Sequence, residues 1–386
     1  MAARRRRSRG RRALFPALLC WALSSPAGAG DLLQVGPGKP YQTPSHAAQH
    51  ARDGDTIEID AGTYHNDFTH WRQDNLTIRG VGGMAHLHGD TLIHNGKGIW
   101  VIDGDNTLIE NVEFSGARVR STNGAGIRHQ GGDLTLRNTF FHDNEFSILS
   151  GVNHQARIAV YDSRFWRQKR SVRWSHGIYI GAAGSFTLVG SHFTGTDQGH
   201  QVKSRALQNR ILYNRIEDTP RGNSSRLIDL PNCGRSVIVG NDLHQAATSL
   251  NYNAIGYGME GCEGRSARQR QLYVAHNTFV NEALAGTLVS TTGNGTALLA
   301  NNLLYGRGVF LSGEGSEQGN LRLPLSQRAA DGWTPRADSA AIDAATALPP
   351  AAPALAPQQM FRPPLGTMPR PADGAADIGS REAPSR

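Results

Sequence analysis

The chain has 386 residues, with 40 Lys and Arg against 32 Asp and Glu and a formal net charge of +8. Seven of the arginines lie in the first 29 residues with no acid among them, which leaves 33 basic residues against 32 acidic ones over the rest. The high isoelectric point therefore belongs to the N-terminus. It gives no ground for nucleic-acid binding, and no nucleic-acid partner is expected.

Arg4 to Arg12 form a basic stretch, Ala13 to Leu23 an apolar run, and Ala27-Gly28-Ala29 a small-residue cleavage pattern. This is the layout of a cleavable export signal over residues 1–29, and the run is too short to span a bilayer as a helix. The expectation is a periplasmic or secreted bacterial protein without stable membrane insertion. Past the signal only Cys233 and Cys262 remain. Two cysteines in an oxidising compartment point to a single disulfide, since a metal cluster would need more ligands at closer spacing.

Thr43-Pro44-Ser45 followed by His46 to Arg52 reads as a capped short helix. Asp53-Gly54-Asp55 is then a turn, Thr56 to Ile59 a strand, and Ala61-Gly62-Thr63-Tyr64 another turn. Such a helix would cover the exposed edge of whatever sheet follows.

A pattern of a small or polar residue leading to an apolar one then recurs. It includes Asn111 to Phe114, Asn138 to Phe141, Asp162 to Phe165, Gly190 to Phe193, Tyr213 to Ile216, Gly240 to Leu243, His276 to Phe279 and Asn301 to Leu304. The steps are 23 to 28 residues, apart from one of 36 that contains the polar, Arg-rich stretch Gly258 to Gln271. Short alternating strands repeated at this period define a stacked β-solenoid. The fold class expected is all-β: a single-stranded right-handed parallel β-helix with an N-terminal capping helix and a C-terminal extension. The solenoid covers 30–310 in about nine coils, and 311–386 is a partly irregular extension. Asn side chains at the corners should form buried amide ladders.

One strand aligns from coil to coil. Ile127, Ile148, Ile178, Val202, Ile228 and Ile255 form an aliphatic column, which must face inward. Side chains alternate along a strand, so the next residues, Arg128, Leu149, Tyr179, Lys203, Asp229 and Gly256, face out. Arg205, two steps beyond Lys203, joins them. His176 and His200 precede the inward residues by two, so alternation turns them inward unless the bending chain brings them to the margin. Trp174 and Trp166 are candidate sugar-stacking platforms. His129, His142, His154, His192 and His244 read as turn or surface residues.

Ala51 to Tyr64, Ala-Arg-Asp-Gly-Asp-Thr-Ile-Glu-Ile-Asp-Ala-Gly-Thr-Tyr, resembles the opening segment of the pectate-lyase-like β-helix superfamily. Asp338 to Asp343 and Ala376 to Gly379 resemble the tail of many bacterial members. The resemblance implies the fold more specifically than the reaction, because that superfamily holds lyases, hydrolases, epimerases, esterases and adhesins.

The outward column accordingly reads as a carbohydrate site. Elimination across a uronate linkage needs a cation to neutralise the carboxylate and a base to take the adjacent proton. Arg205 and Arg128 suit carboxylate binding. Lys203 is a candidate base, and Tyr179 or His176 a candidate acid, with Lys and Tyr exchangeable. Asp229 would orient Lys203 or join a calcium site, and His200 and Trp174 would bind substrate. The expected partner is an acidic polysaccharide, the protein a monomer, and no cofactor is required, with Ca²⁺ the one ion considered.

Two alternatives stay open. Ser175-His176-Gly177 followed by Val202-Lys203-Ser204 resembles the His-Gly and Arg-Ile-Lys motifs of polygalacturonases, although the paired carboxylates of that family are missing upstream. A uronate C5-epimerase shares the first proton abstraction. A non-catalytic polysaccharide-binding surface protein could use the same face.

Overall fold

The computed structural model describes residues 30–168, 174–348, 355–372 and 374–383. The expected export signal, residues 1–29, lies outside the described residues. The chain winds as a parallel β-helix with three ladders of strands per coil. One coil runs through Ile178–Ile180, Ala183–Val189 and His192–Thr194, then returns to Val202–Ser204 one rung further along. The first ladder holds ten strands: Thr69–Trp71, Gly98–Ile102, Ala125–His129, Phe146–Ser150, Ile178–Ile180, Val202–Ser204, Ile228–Leu230, Asn253–Tyr257, Thr287–Thr291 and Val309–Ser312. The second and third ladders make up a 21-stranded sheet, being joined through long opening strands such as Thr77–His88.

The corner between the second and third ladders explains the repeat. Its first residue (Asn111, Asn138, Asp162, Gly190, Tyr213, Gly240, His276 or Asn301) has positive φ in every coil. Asn, Asp and Gly adopt that conformation at least cost, which is why they dominate the position. The second residue points inward, and from Ser163 onward its side chain accepts the backbone N–H of the coil before. Ser191 N–H donates to Asn214 Oδ1 (2.9 Å), Asn214 to Asn241 (2.9 Å), Asn241 to Asn277 (3.0 Å) and Asn277 to Asn302 (3.1 Å). Buried backbone donors at these bends are thereby satisfied, as they must be. The fourth residue fills the core: Phe114, Phe141, Phe165 and Phe193 stack with successive ring centroids 5.0, 5.2 and 4.2 Å apart.

Three boundaries differ from the sequence reading. The capping helix spans only Pro44–Ala48, capped by the Thr43 side chain, rather than running to Arg52. Asp55 Oδ2 accepts the Arg52 N–H at 2.8 Å and draws the chain out of the helix into the Asp53-Gly54 turn. Ala61 to Tyr64 is not a turn but part of the strand Thr56–His65, which takes up the irregularity as a bulge between Asp60 and Gly62. The solenoid also passes residue 310: Gly315–Gln318 and Leu321–Leu323 add one more rung to the second and third ladders.

The C-terminal extension then folds back along the third ladder. Arg381 and Ser380 bond the fully buried Asp242, while Trp333, Ala341 and Ile378 pack with Val280, Leu303 and Tyr305. Among the described residues no helix is long and apolar enough to cross a membrane.

Candidate active site

The first ladder keeps strict register, and this builds the site. Ile127, Ile148, Ile178, Val202, Ile228 and Ile255 are successive partners and fully buried. Their chain neighbours Arg128, Leu149, Tyr179, Lys203, Asp229 and Gly256 are partners in the same order on the outer side. Tyr179, Lys203 and Asp229 therefore stand on three consecutive rungs, about 4.8 Å apart by strand spacing.

Their side chains form one network. Lys203 Nζ lies 3.4 Å from Asp229 Oδ2 and 3.0 Å from Glu260 Oε1. Arg205 donates from Nε to the Tyr179 hydroxyl at 2.8 Å, pairs with Glu260 Oε2 at 2.7 Å, and reaches Asn232 Oδ1 from Nη1. Arg226 Nη1 approaches Asp229 Oδ1 at 3.2 Å. Both guanidinium and ammonium groups border the Tyr179 ring, each 5.6 Å from its centroid.

His176 and His200 reach the margin of this face as a stacked pair, 5.0 Å between centroids and nearly parallel. Each Nδ1 accepts a backbone N–H, from His200 at 2.9 Å and from Arg226 at 3.1 Å, which leaves the proton of each neutral ring on Nε2. His200 Nε2 then faces Asp229 Oδ2 at 3.5 Å. Burial, with Lys203 and Arg226 adding to it, pushes the His200 pKa down to about 3. Burial and the charges of His200, Lys203 and Arg205 drive His176 well below the usual range. His176, packed edge-on against Tyr179 with centroids 5.7 Å apart, thus braces the phenol as a neutral ring.

The two carboxylates are tuned in opposite directions. Burial raises Asp229, and the Lys203 and Arg226 charges offset only part of that. At Glu260 burial also acts upward, but the hydrogen bonds and charges of Lys203 and Arg205 outweigh it and hold the carboxyl low. Lys203 itself is ion-paired on both sides, with Asp229 and with Glu260. The calcium role considered for Asp229 does not fit. Its oxygens face Lys203, Arg226 and His200, the reverse of the oxygen-rich cage that calcium takes.

Arg128 shares the outer column but is separated from Tyr179 by the Leu149 rung. It is half-buried, burial lowers its pKa, and its Nε has no hydrogen-bond partner among the described residues. Trp174 is 56% exposed and makes no ring contact among the described residues. Trp166 belongs to the third ladder, where Arg164 and Arg167 cover it, so it is not part of this face. His129 is not a surface residue: it closes the strand Ala125–His129, is buried, and has its pKa pushed down to about 4 by burial.

The family described as right handed beta helix region matches residues 61–304. The chain belongs to this β-helix family. No curated protein sequence is significantly similar to it. Among solved structures it resembles pectate lyase Pel9A, with 14% identity over 92% of this chain and 97% of that one and a TM-score of 0.64. It also resembles an alginate lyase from Paenibacillus sp. str. FPU-7, with 16% identity over 75% and 97% and a TM-score of 0.56. A lacto-N-biosidase of group GH136 from Eubacterium ramulus gives 13% over 76% and 68%, with a TM-score of 0.52. At these identities the likeness establishes the shared fold.

Glu260, Arg226 and Asn232 were not identified from the sequence. Arg226 and Asn232 flank the strand Ile228–Leu230 and could have been found by extending the aligned column outward. Glu260 sits in the inserted stretch of the 36-residue step. The loop returns to the face because Cys262 is bonded to Cys233, with Cα atoms 5.4 Å apart, and because Arg265 donates to the carbonyls of Asn232 and Arg205. The disulfide expected of the two cysteines is present, and it anchors the loop that carries Glu260.

Proposed function

We propose that the protein is a lyase that cleaves a uronate-containing polysaccharide by β-elimination on the outer face of the first ladder. The observation that carries this reading is the Tyr179 oxygen receiving the Arg205 N–H at 2.8 Å beside the Lys203 ammonium. In this route Tyr179 reacts as its phenolate, which takes the proton next to a uronate carboxylate and becomes the phenol. The C–O bond to the next sugar then breaks, and the Lys203 ammonium gives a proton to the departing oxygen. The remaining cations suit the substrate carboxylate. Arg128 Nε has no hydrogen-bond partner among the described residues, and the bond of Glu260 to Arg205 and Lys203 occupies the kind of position a uronate carboxylate would take. The fold shared with two polysaccharide lyases supports the reading. The disulfide and the signal-like N-terminus support an exported protein in an oxidising compartment.

A second reading rests on Asp229 and Glu260, which stand on either side of Lys203 with pKa values pushed apart. Such a split is how glycoside hydrolases separate acid from base. Incubation of the mature protein with a panel of acidic polysaccharides separates the two. Elimination gives unsaturated uronate absorbing near ~235 nm, is lost in Tyr179→Phe and survives Glu260→Gln, because the base in that route is the phenol. New reducing ends without that absorbance, abolished by Glu260→Gln, would replace the lyase with the hydrolase.

A further inference from the structure

The third ladder carries a second constellation, far from the first in chemistry. On its outer side His86 pairs in register with Glu113, and His142 lies one rung beyond and two residues along. Three coils therefore send an imidazole, a carboxylate and an imidazole to one point. Glu113 Oε1 is 2.8 Å from His142 Nε2 and 3.8 Å from His86 Nε2, and the ligand atoms of all three residues lie within 4.8 Å of one another. A tetrahedral ion with bonds of ~2.0–2.1 Å needs its ligand atoms about 3.3 Å apart. Side-chain adjustments of under an ångström or so would close these three onto one centre.

We propose that His86, Glu113 and His142 bind a divalent transition-metal ion of the zinc type, with a further coordination position open to solvent. Two imidazoles and one carboxylate favour zinc and its neighbours over calcium or magnesium, which take all-oxygen sets. The three side chains are 24%, 22% and 17% exposed, so an ion held there would keep an outward position for water or ligand.

The surroundings hold one ligand ready. His142 Nδ1 bonds Asp143 Oδ2 at 2.8 Å, and Arg167 Nη2 holds that same oxygen at 2.9 Å. With Nδ1 held by the Asp143 carboxylate, Nε2 is the nitrogen that would ligate once a metal displaces its proton to Glu113, an arrangement typical of metal-bound histidine. Ser115 Oγ lies 2.7 Å from His86 Nε2 and 2.6 Å from His88 Nδ1, and its hydroxyl can donate to one ring while accepting from the other. Turning His86 Nε2 to a metal would leave Ser115 to His88, whose Nε2 already pairs with Asp90 at 3.1 Å. Neither imidazole–carboxylate contact requires a metal, so the experiment must separate binding from simple ion pairing.

The test uses untagged mature protein titrated with Zn²⁺ alone by calorimetry, and with Co²⁺ alone by visible absorption. One equivalent should bind, and Co²⁺ should develop intense d–d bands of low coordination number. His142→Ala and Glu113→Gln should each abolish that equivalent with an unchanged far-ultraviolet dichroism spectrum. Asp143→Asn should weaken it about 10- to 100-fold. Absence of zinc binding overturns the proposal, as does full-strength binding in either His142→Ala or Glu113→Gln. If His142→Ala misfolds, Glu113→Gln decides, since it removes a charge and no bulk. The elimination assay is independent of all these outcomes.

Discussion

Ile178 and Tyr179 are adjacent in the chain and face opposite ways, and the columns they belong to follow different rules. The inner column is aliphatic on rung after rung, because each side chain must fill the same dry space between the coils above and below. The outer column changes character at each rung, from Arg128 through Leu149 to Tyr179, Lys203 and Asp229. Stacking constrains it only to be compatible with its neighbours, so chemistry can vary there without cost to the scaffold. The outer face of the third ladder makes the same point with other residues. There the register collects His86, Glu113 and His142.

The contrast can be broken by single substitutions on one strand. Tyr179→Phe should lower turnover by about two to four orders of magnitude while leaving the unfolding midpoint nearly unchanged, since it removes one oxygen from a half-buried face. Ile178→Ala should do the opposite, costing about 2–5 kcal/mol in chemical denaturation with activity retained where the protein stays folded. If Tyr179→Phe unfolds the protein, or Ile178→Ala leaves stability untouched, the two columns have been assigned the wrong way round. Lys203 is an intermediate case. It is buried against Asp229, so Lys203→Ala should lose stability as well as activity by stranding that carboxylate.

The disulfide sharpens the comparison from the loop side. Cys262→Ser should cost about 2–4 kcal/mol by freeing the chain between the two cysteines. It should also loosen Glu260 from Arg205 and Lys203, which a chemical-shift or fluorescence probe on the loop would report. An unaltered loop in the variant would mean that Arg265 alone holds it.

Acid sensitivity sharpens the comparison from the buried side. His200 and His276 have pKa values pushed down to about 3 by burial, and His129 to about 4. An unfolded histidine titrates near ~6.5, so between there and the folded values the unfolded chain binds more protons. Stability from these rings is complete above that unfolded value and is lost as pH falls toward 3–4. The melting temperature should therefore decline over this window, and His200→Gln should make the decline shallower. A decline of equal slope in that variant would assign the effect to other groups.

The fold was legible because a solenoid repeats its sequence requirements. A positive-φ corner, an inward polar residue and an inward apolar residue recur every coil, so Asn301 to Leu304 says again what Asn138 to Phe141 said. Alternation then assigned Tyr179, Lys203 and Asp229 to one outer column without any coordinates. The sequence alone determined those columns, the coil order and the pairing of Cys233 with Cys262. Where the pattern lapses, the chain gives no such signal. Glu260 lies in a loop with no periodicity, and only the disulfide and the Arg265 contacts return it to the face. His86 and His142 lie 56 residues apart on different rungs, and their separate strands say nothing of Glu113 between them. Tertiary structure decided these placements because side-chain ends meet diagonally across rungs, at distances set by rotamers and burial rather than by spacing along the chain.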